Sequence, residues 1–351
     1  MFIIIFDINT IDNSTIYPYI RYINIGYGDK QMAQHFLLSS KARTLSLAKV
    51  MRLTDEQAYD LFKQVRWQDN DGEAYCPRCG CTAVYEYKTR RIYKCQGCGS
   101  QFSLTTGTIF ASRKLPLRDL LAAIAIFVNG AKGISALQLS RDLDVQYKTA
   151  FVLAHKLREA MAADMENAHV SGTVEIDGAY FGGYVKPENR KEDRKDRRLK
   201  INQSGKRRAV VVMRERGGRT IPFVFKTEGD ALPTIQDRVL PGSTVHADEA
   251  SVWDDLHAMF DTKRINHSVM FKDVDACTNQ AESFFSRLRR MEIGTHHHVS
   301  GDYLSAYARE AAWREDNRRK DNGTLFTMVA AAAMAHPVSG QWKGYWQRSM
   351  H

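Results

Sequence analysis

Three carboxylates stand where a metal-dependent phosphoryl-transfer centre would need them. Asp177 closes the apolar run Val174-Glu175-Ile176-Asp177-Gly178, and Asp248 closes Thr244-Val245-His246-Ala247-Asp248-Glu249. Glu282 lies in a stretch of helical character, Asn279-Gln280-Ala281-Glu282-Ser283-Phe284-Phe285. Two strand-borne acids and one helix-borne acid can converge on a pair of divalent cations. Such ions, roughly 3.5–4 Å apart, clamp the attacking and leaving oxygens of an in-line displacement at phosphorus. Taken singly, an acid at a strand end caps and solvates, so the rest of the chain has to carry the reading.

A second set of residues has metal-ligand spacing. Cys76-Pro77-Arg78-Cys79 and Cys95-Gln96-Gly97-Cys98 are two C-x-x-C knuckles with 15 residues between them, the spacing of a four-thiolate zinc site. Each is followed by glycine, Gly80 or Gly99, which lets the backbone turn its amides toward sulfur. The intervening Ala83-Val84-Tyr85-Glu86-Tyr87 and Arg91-Ile92-Tyr93-Lys94 alternate like a hairpin, and Gln101-Phe102-Ser103 continues it, so a zinc ribbon is expected. Cys81 is a rival to Cys79, but the paired spacing favours Cys79; Cys277 stands alone and reads as a small buried hydrophobe. A ribbon of this size folds on its metal, so the zinc is structural.

These residues need elements to hold them. Thr54-Asp55-Glu56-Gln57 opens a helix over residues 54–66 with a capping residue and early acids. A helical region follows the ribbon over 117–164. Within it Ile134 to Leu143 and Gln146 to Lys156, joined by Asp144-Val145, have helix-turn-helix form. The second helix should expose Gln146, Lys148, Thr149 and Lys156 and bury Ala150, Leu153 and Leu157. Beyond it, apolar runs at 174–176, 209–213 and 220–225, a helix over 232–239 and a strand over 244–247 predict an α/β domain with a central sheet. The expected layout is an N-terminal extension over 1–53 with Met32 as the natural start, a short helix over 54–72, the zinc ribbon over 73–112, the helix-turn-helix region over 113–168 and the catalytic domain over 169–345.

The formal net charge of +10 favours a polyanionic partner such as nucleic acid, and basic residues gather in 190–219 and 287–319. Residues 186–208, almost all charged or polar, read as a mobile insertion suited to gripping DNA. No stretch approaches the roughly 20 apolar residues of a membrane span, and the start lacks a signal peptide. A cytoplasmic location, nucleoid-associated if bacterial, is therefore expected.

Taken in order, the C-x-x-C ribbon, the helix-turn-helix, Val174-Glu175-Ile176-Asp177-Gly178-Ala179-Tyr180-Phe181-Gly182-Gly183, His246-Ala247-Asp248-Glu249, Asn266-His267-Ser268 and Thr278-Asn279-Gln280-Ala281-Glu282-Ser283-Phe284-Phe285-Ser286 resemble the insertion-sequence transposases of family fifteen ninety-five, the ISXO-two-like group, over residues 32–345. Tyr303, Leu304, Tyr307, Glu310, Trp313, Arg314 and Asn317-Arg318-Arg319 are similar to that group's C-terminal helix. The resemblance implies an RNase H-like fold whose acids bind two Mg²⁺ or Mn²⁺ ions. It also implies cleavage and strand transfer at terminal inverted repeats of double-stranded DNA, with insertion into target DNA by a homo-oligomer. On this mapping Asp177 lies on the first strand, Asp248 at the end of the fourth and Glu282 on the following helix.

The group uses either Asn or Glu as its third ligand. Asn279 and Glu282 stand three apart on one helical face, and a carboxylate binds a hard divalent ion far better than a carboxamide. Glu282 is therefore preferred, with Asn279 an outer ligand or a residue holding the helix to the sheet. Arg289, seven positions on, replaces the usual lysine and keeps a phosphate contact through a different geometry. His246 and His267 read as structural, and His296-His297-His298 as a polar loop that touches DNA or orients a phosphate. Glu175 either shares the face of Asp177 or is buried against a basic partner; Glu249 points away. Two other functions fit the same features: a metal-dependent nuclease without strand transfer, and a DNA-binding regulator with a decayed catalytic domain.

Overall fold

The computed structural model describes residues 36–183, 186–196, 199–202, 204–265 and 277–348. The proposed start at Met32 and the Asn266-His267-Ser268 triplet lie outside them. Two short helices, α1 (Leu47–Met51) and α2 (Asp55–Arg66), precede the ribbon. In α2 the Thr54 side chain accepts from the Gln57 amide while the Gln57 side chain accepts from the Thr54 amide, a complete capping box. Strands β1 (Val84–Tyr87), β2 (Ile92–Cys95) and β3 (Gln101–Ser103) form an antiparallel sheet. That sheet is tied to α2 by the buried hydroxyl pair Tyr59–Tyr93 at 2.7 Å and by Arg66, which donates to the carbonyls of Ser103 and Thr106.

Helix α3 (Leu117–Asn129) is buried nearly all round, with Leu120 to Val128 inaccessible, as expected of a helix at the centre of a core. Helices α4 (Ala136–Asp142) and α5 (Tyr147–Ala162) pack on each other and share the core of α3. Asp144, at φ 49°, ends α4 in the left-handed region, and the Val145 amide closes the turn on the Ser140 carbonyl at 2.9 Å.

The second sheet contains β4 (Thr173–Phe181), β5 (Arg208–Glu215), β6 (Thr220–Phe225), β7 (Thr244–Asp248) and β8 (Asp261–Ile265), in the order β6-β5-β4-β7-β8. The first three pair antiparallel, while β7 runs parallel to β4 and β8 parallel to β7. Residues 209–213 of β5 are buried on both faces because helices cover both sides. Helix α6 (Leu232–Arg238) and the 3₁₀ turns at Ser251–Ala258 cover one face, packing on Val174, Ile176, Val211 and Val245. On the other face α7 (Asn279–Met291) and α8 (Leu304–Asp316) pack on Ala179, Phe181, Val210 and Val212.

Helix α9 (Asn322–Ala335) was expected with the catalytic sheet, yet Phe326, Val329, Ala330, Ala333 and Met334 join the core of α2, α3 and α5. Its Ala-rich surface lets helices approach closely. Asn322 at its start also ties residues 44–45 down, accepting from the Thr44 and Leu45 amides at 2.9 Å each and donating to the Leu45 carbonyl at 2.7 Å. The two cores meet at Glu310 of α8, which accepts from Arg158 of α5 at 2.6 Å and Arg314 at 2.8 Å, all three buried. Arg314 also donates to the Phe127 and Gly130 carbonyls of α3. A final turn, α10 (Tyr345–Arg348), lies beside α5. Among the described residues no helix is long and apolar enough to cross a membrane.

Candidate active site

Register brings the first two acids together. The β4–β7 pairing runs from Thr173↔Thr244 to Ile176↔Ala247, and its next step sets Asp177 beside Asp248. Adjacent strands stand about 4.8 Å apart, and residues in step share a face. Asp177 does not end its strand, since β4 continues to Phe181 against β5; it marks the level at which β7 stops. The turn beyond Asp248 is fixed from β8. Arg264 donates to the Asp248 carbonyl at 2.5 Å, to the Ala250 carbonyl at 2.6 Å and to the Asp254 carboxylate at 3.1 Å.

The third acid is positioned by a residue whose role the sequence left open. Glu175, two before Asp177 and on the same face, is fully buried and accepts from the Gln280 amide at 2.7 Å and the Ala281 amide at 3.1 Å. It therefore caps the positive N-terminus of α7, where a carboxylate satisfies otherwise unpaired amides. Arg216 pairs with it at 2.8 Å and donates to the Cys277 carbonyl at 2.9 Å. Both earlier readings of Glu175 hold, shared face and basic partner. His246 is structural, its Nδ1 accepting from the Cys277 amide at 3.1 Å. Cys277 is only half-buried. Gln280 adds a further tie, accepting from Arg214 at 3.3 Å. With α7 held in this way, Asn279, Glu282 and Arg289 all lie on its exposed face, and the Arg289 guanidinium sits 5.9 Å from the Phe285 ring.

Asp177 carries the electrostatic signature of the site. Burial first, and then the charges of Asp248, Glu282 and Glu228, push its carboxyl up to about 7, against the opposing bond from the Gly178 amide at 2.8 Å. Glu228, in the turn between β6 and α6, carried no signal in the sequence, where it reads as a solvated turn residue. Hard carboxylate oxygens within electrostatic reach of one another suit Mg²⁺ or Mn²⁺, and such acids repel less once a cation joins them. Asp177, Asp248 and Glu282 would hold such ions.

The cysteine set is tighter. Among the described residues it is the group of metal-ligating side chains whose donor atoms all lie within 4.8 Å of one another: Cys76, Cys79, Cys95 and Cys98. The Cys76–Cys98 and Cys79–Cys95 sulfurs are 3.6 Å apart, close to the ~3.8 Å edge of a tetrahedron with Zn–S bonds of ~2.3 Å. Cys81 stays outside, its sulfur 3.8 Å from the Ala83 carbonyl. Gly80 and Gly99 both adopt positive φ, and their amides donate to the Cys76 and Cys95 carbonyls at 2.9 and 3.1 Å, closing each knuckle.

On α5, Gln146, Lys148 and Thr149 are exposed and Ala150, Leu153 and Leu157 buried, but Lys156 is half-buried. The Lys148 ammonium sits 5.1 Å over the Trp346 ring. Of the three consecutive histidines, His297 and His298 are exposed while His296 turns inward against Tyr307, ring centroids 4.6 Å apart. Within the basic cluster over 287–319, Arg287 and Arg318 pair with Glu315, and Arg314 pairs with Glu310.

Residues 169–316 match the family model of the ISXO2-like transposase domain, and residues 53–101 match that of the transposase zinc-ribbon domain. The two matches take in the acids on β4, β7 and α7 and the four clustered cysteines. No curated protein matches the chain.

Proposed function

Because the chain belongs to the ISXO2-like insertion-sequence transposases, we propose that it binds the terminal inverted repeats of its element and catalyses metal-dependent cleavage and strand transfer of double-stranded DNA. The observation that carries this reading is the register that sets Asp177 beside Asp248, with Glu282 entering from a helix capped by the neighbouring Glu175. The sheet order, third-second-first-fourth-fifth with the last two strands parallel to the first, supports an RNase H-like description.

In this scheme Asp177, Asp248 and Glu282 hold two Mg²⁺ or Mn²⁺ ions, with Asn279 an outer ligand on the same face. When bound, the ions supply activation of water, and then of the released 3′-hydroxyl, and charge relief at the departing 3′ oxygen. Arg289 offers a guanidinium to a flanking phosphate. The α4–α5 pair acts as a helix-turn-helix, presenting Gln146, Lys148 and Thr149 to the repeat, and two copies of the chain bring two ends together. Zinc at Cys76, Cys79, Cys95 and Cys98 holds the ribbon, whose Arg78, Arg90 and Arg91 face solvent and suit a phosphate backbone.

Labelled terminal repeats incubated with the protein and Mg²⁺ test the reading. Joined products are expected, and Asp177→Ala or Asp248→Ala should abolish them. Cleavage without joining would make the protein a nuclease, and a metal-independent mobility shift without cleavage would make it a binding protein.

A further inference from the structure

A cleft of about 220 Å³ opens at the β1–β2 turn of the ribbon, where Arg90, Arg91 and Arg113 line it together with Tyr59, Ile92 and Ser103. Among the described residues no acid lines it. Glu56 holds Arg91 at 2.9 Å, and the Arg91 guanidinium sits 5.2 Å over the Tyr59 ring. Arg113 donates to the Leu115 carbonyl at 2.5 Å, and among the described residues neither it nor Arg90 has an acidic partner. Burial first and the Arg91 charge second hold Arg113 below its usual range. Arg66, which does not line the cleft, already takes up the carbonyls of Ser103 and Leu104, so the wall is short of acceptors. Arg91 stands at φ 49°, where glycine or asparagine sits at lower cost. Three guanidiniums against the single carboxylate of Glu56 make a cleft of donors suited to an anion such as phosphate.

The cleft continues into an uncovered sheet face. Tyr85 pairs with Lys94 and Lys94 with Gln101, while Tyr87 pairs with Ile92 and Ile92 with Ser103. Residues in step share a face. The alternate residues Tyr93, Cys95 and Phe102 are buried in the core shared with α2, so the two tyrosines belong to the outer face. Tyr85 is 57 % exposed, and its ring stands edge-on to that of Tyr87, centroids 4.9 Å apart. The row from Tyr87 through Ile92 to Ser103 leads from this aromatic pair into the cleft. A free phosphate would use the guanidiniums but not the rings, and a duplex keeps its base faces inside its own stack. A single strand offers both a phosphate and open base faces. We propose that the outer face of the ribbon and the arginine cleft at its turn bind a single DNA strand, with one phosphate in the cleft and unpaired bases stacked on Tyr85 and Tyr87. The choice of DNA rests on the transposase reading above.

Fluorescence anisotropy of a labelled oligothymidine of about eight nucleotides, with the zinc-loaded full-length chain and no added Mg²⁺ or Mn²⁺, tests it. Arg90→Gln and Arg113→Gln should each weaken binding about tenfold and make the plot of log affinity against log salt shallower by about 0.7. Tyr85→Ala should weaken binding about tenfold with that slope unchanged, and Tyr85→Phe should restore it. Lys49→Gln, at an exposed position of α1, should change neither quantity. Zinc content should equal the parent's throughout. Unchanged affinity in both arginine variants overturns the assignment, as does an equal loss in Lys49→Gln, which would reduce the attraction to net charge. It is also overturned if Tyr85→Ala binds like the parent while inorganic phosphate displaces the strand, the behaviour of a free-anion site. A duplex of the same length that binds as tightly and loses as much in Tyr85→Ala overturns it too. No strand is cut or joined in this assay. Absence of joined products from labelled repeats would therefore sink the transposase reading and leave these outcomes standing, whereas joined products with unmoved arginine and tyrosine variants would sink this proposal only.

Discussion

The molecule holds a cysteine set and a carboxylate set built on opposite plans. The four cysteines come from one short ribbon, and two glycine-closed knuckles bring their sulfurs within 4.8 Å of each other by local hydrogen bonds alone. The acids come from β4, β7, α7 and the β6–α6 turn, and only tertiary structure brings them into electrostatic reach. A closed set of four soft ligands leaves no coordination position for a substrate, whereas hard, partly exposed oxygens on separate elements leave room for DNA. Local assembly thus suits a structural role, and long-range assembly suits the chemistry proposed for the acids.

The sharpest way to break that contrast is at the ribbon. Cys95→Ser should release nearly all the zinc, measured by atomic absorption, and expose residues 73–104 to proteolysis, because apparent zinc binding energies of about 10–16 kcal/mol are folding energy in such modules. Retained zinc and an intact ribbon would mean that burial of Tyr93 and Phe102 suffices. Next, Asp177→Asn should cut strand transfer on the order of 10³-fold, from loss of several kcal/mol of charge stabilisation. It should leave zinc content unchanged and raise the melting temperature without divalent metal, since a buried charge amid three other acids is removed. A lower melting temperature would show that Asp177 is needed to hold the sheet.

Glu175→Gln addresses the support rather than the ligands. Weakening its charge-assisted hydrogen bonds to the Gln280 and Ala281 amides should destabilise the fold by about 2 kcal/mol, read from urea unfolding. A shift of α7 of about 1 Å should slow strand transfer on the order of 10²-fold; a purely thermodynamic effect, with the rate unchanged, would remove α7 positioning from the account.

The smallest effect concerns pH and the joint between the two regions. His155, buried and stacked 4.3 Å from Trp342, is held down to about 3 by burial first and by the Arg158 charge second. The folded protein keeps it neutral while the unfolded chain protonates it below about 6.5, so stability is lost as pH falls through that window. From pH 6.5 to 5 the loss is roughly 2 kcal/mol. His155→Phe should flatten the dependence of unfolding free energy on pH between 5 and 6.5, with zinc content measured alongside to separate thiolate protonation.

The ribbon was legible in the sequence because its constraint is local: C-x-x-C spacing, trailing glycine and a hairpin pattern all fall within residues 76–103. Asp177, Asp248 and Glu282 were legible through their motifs, and the capping box of α2 through four residues. What escaped is held at long range. β8 reads Asp261-Thr262-Lys263-Arg264-Ile265, a charged edge strand with no apolar alternation, as edges commonly are. Glu228 looks like any turn acid until the fold brings its charge to bear on Asp177. Glu175 was ambiguous because its partners, Arg216 and the α7 amides, lie 41 and 105–106 positions away.

The placement of α9 governs the order in which the chain can mature during synthesis. The core of α2, α3 and α5 lacks one of its walls until residues 322–335 have left the ribosome. At about 5–20 residues per second, the stretch between the end of α5 and the start of α9 takes roughly ten to thirty seconds to translate. For that interval the apolar flank of α3 stays uncovered, and the ribbon and the α3–α5 helices form a half-built unit. A nascent chain therefore completes its N-terminal unit only after its five-stranded sheet has been made, and a chain truncated before α9 leaves that unit unfinished.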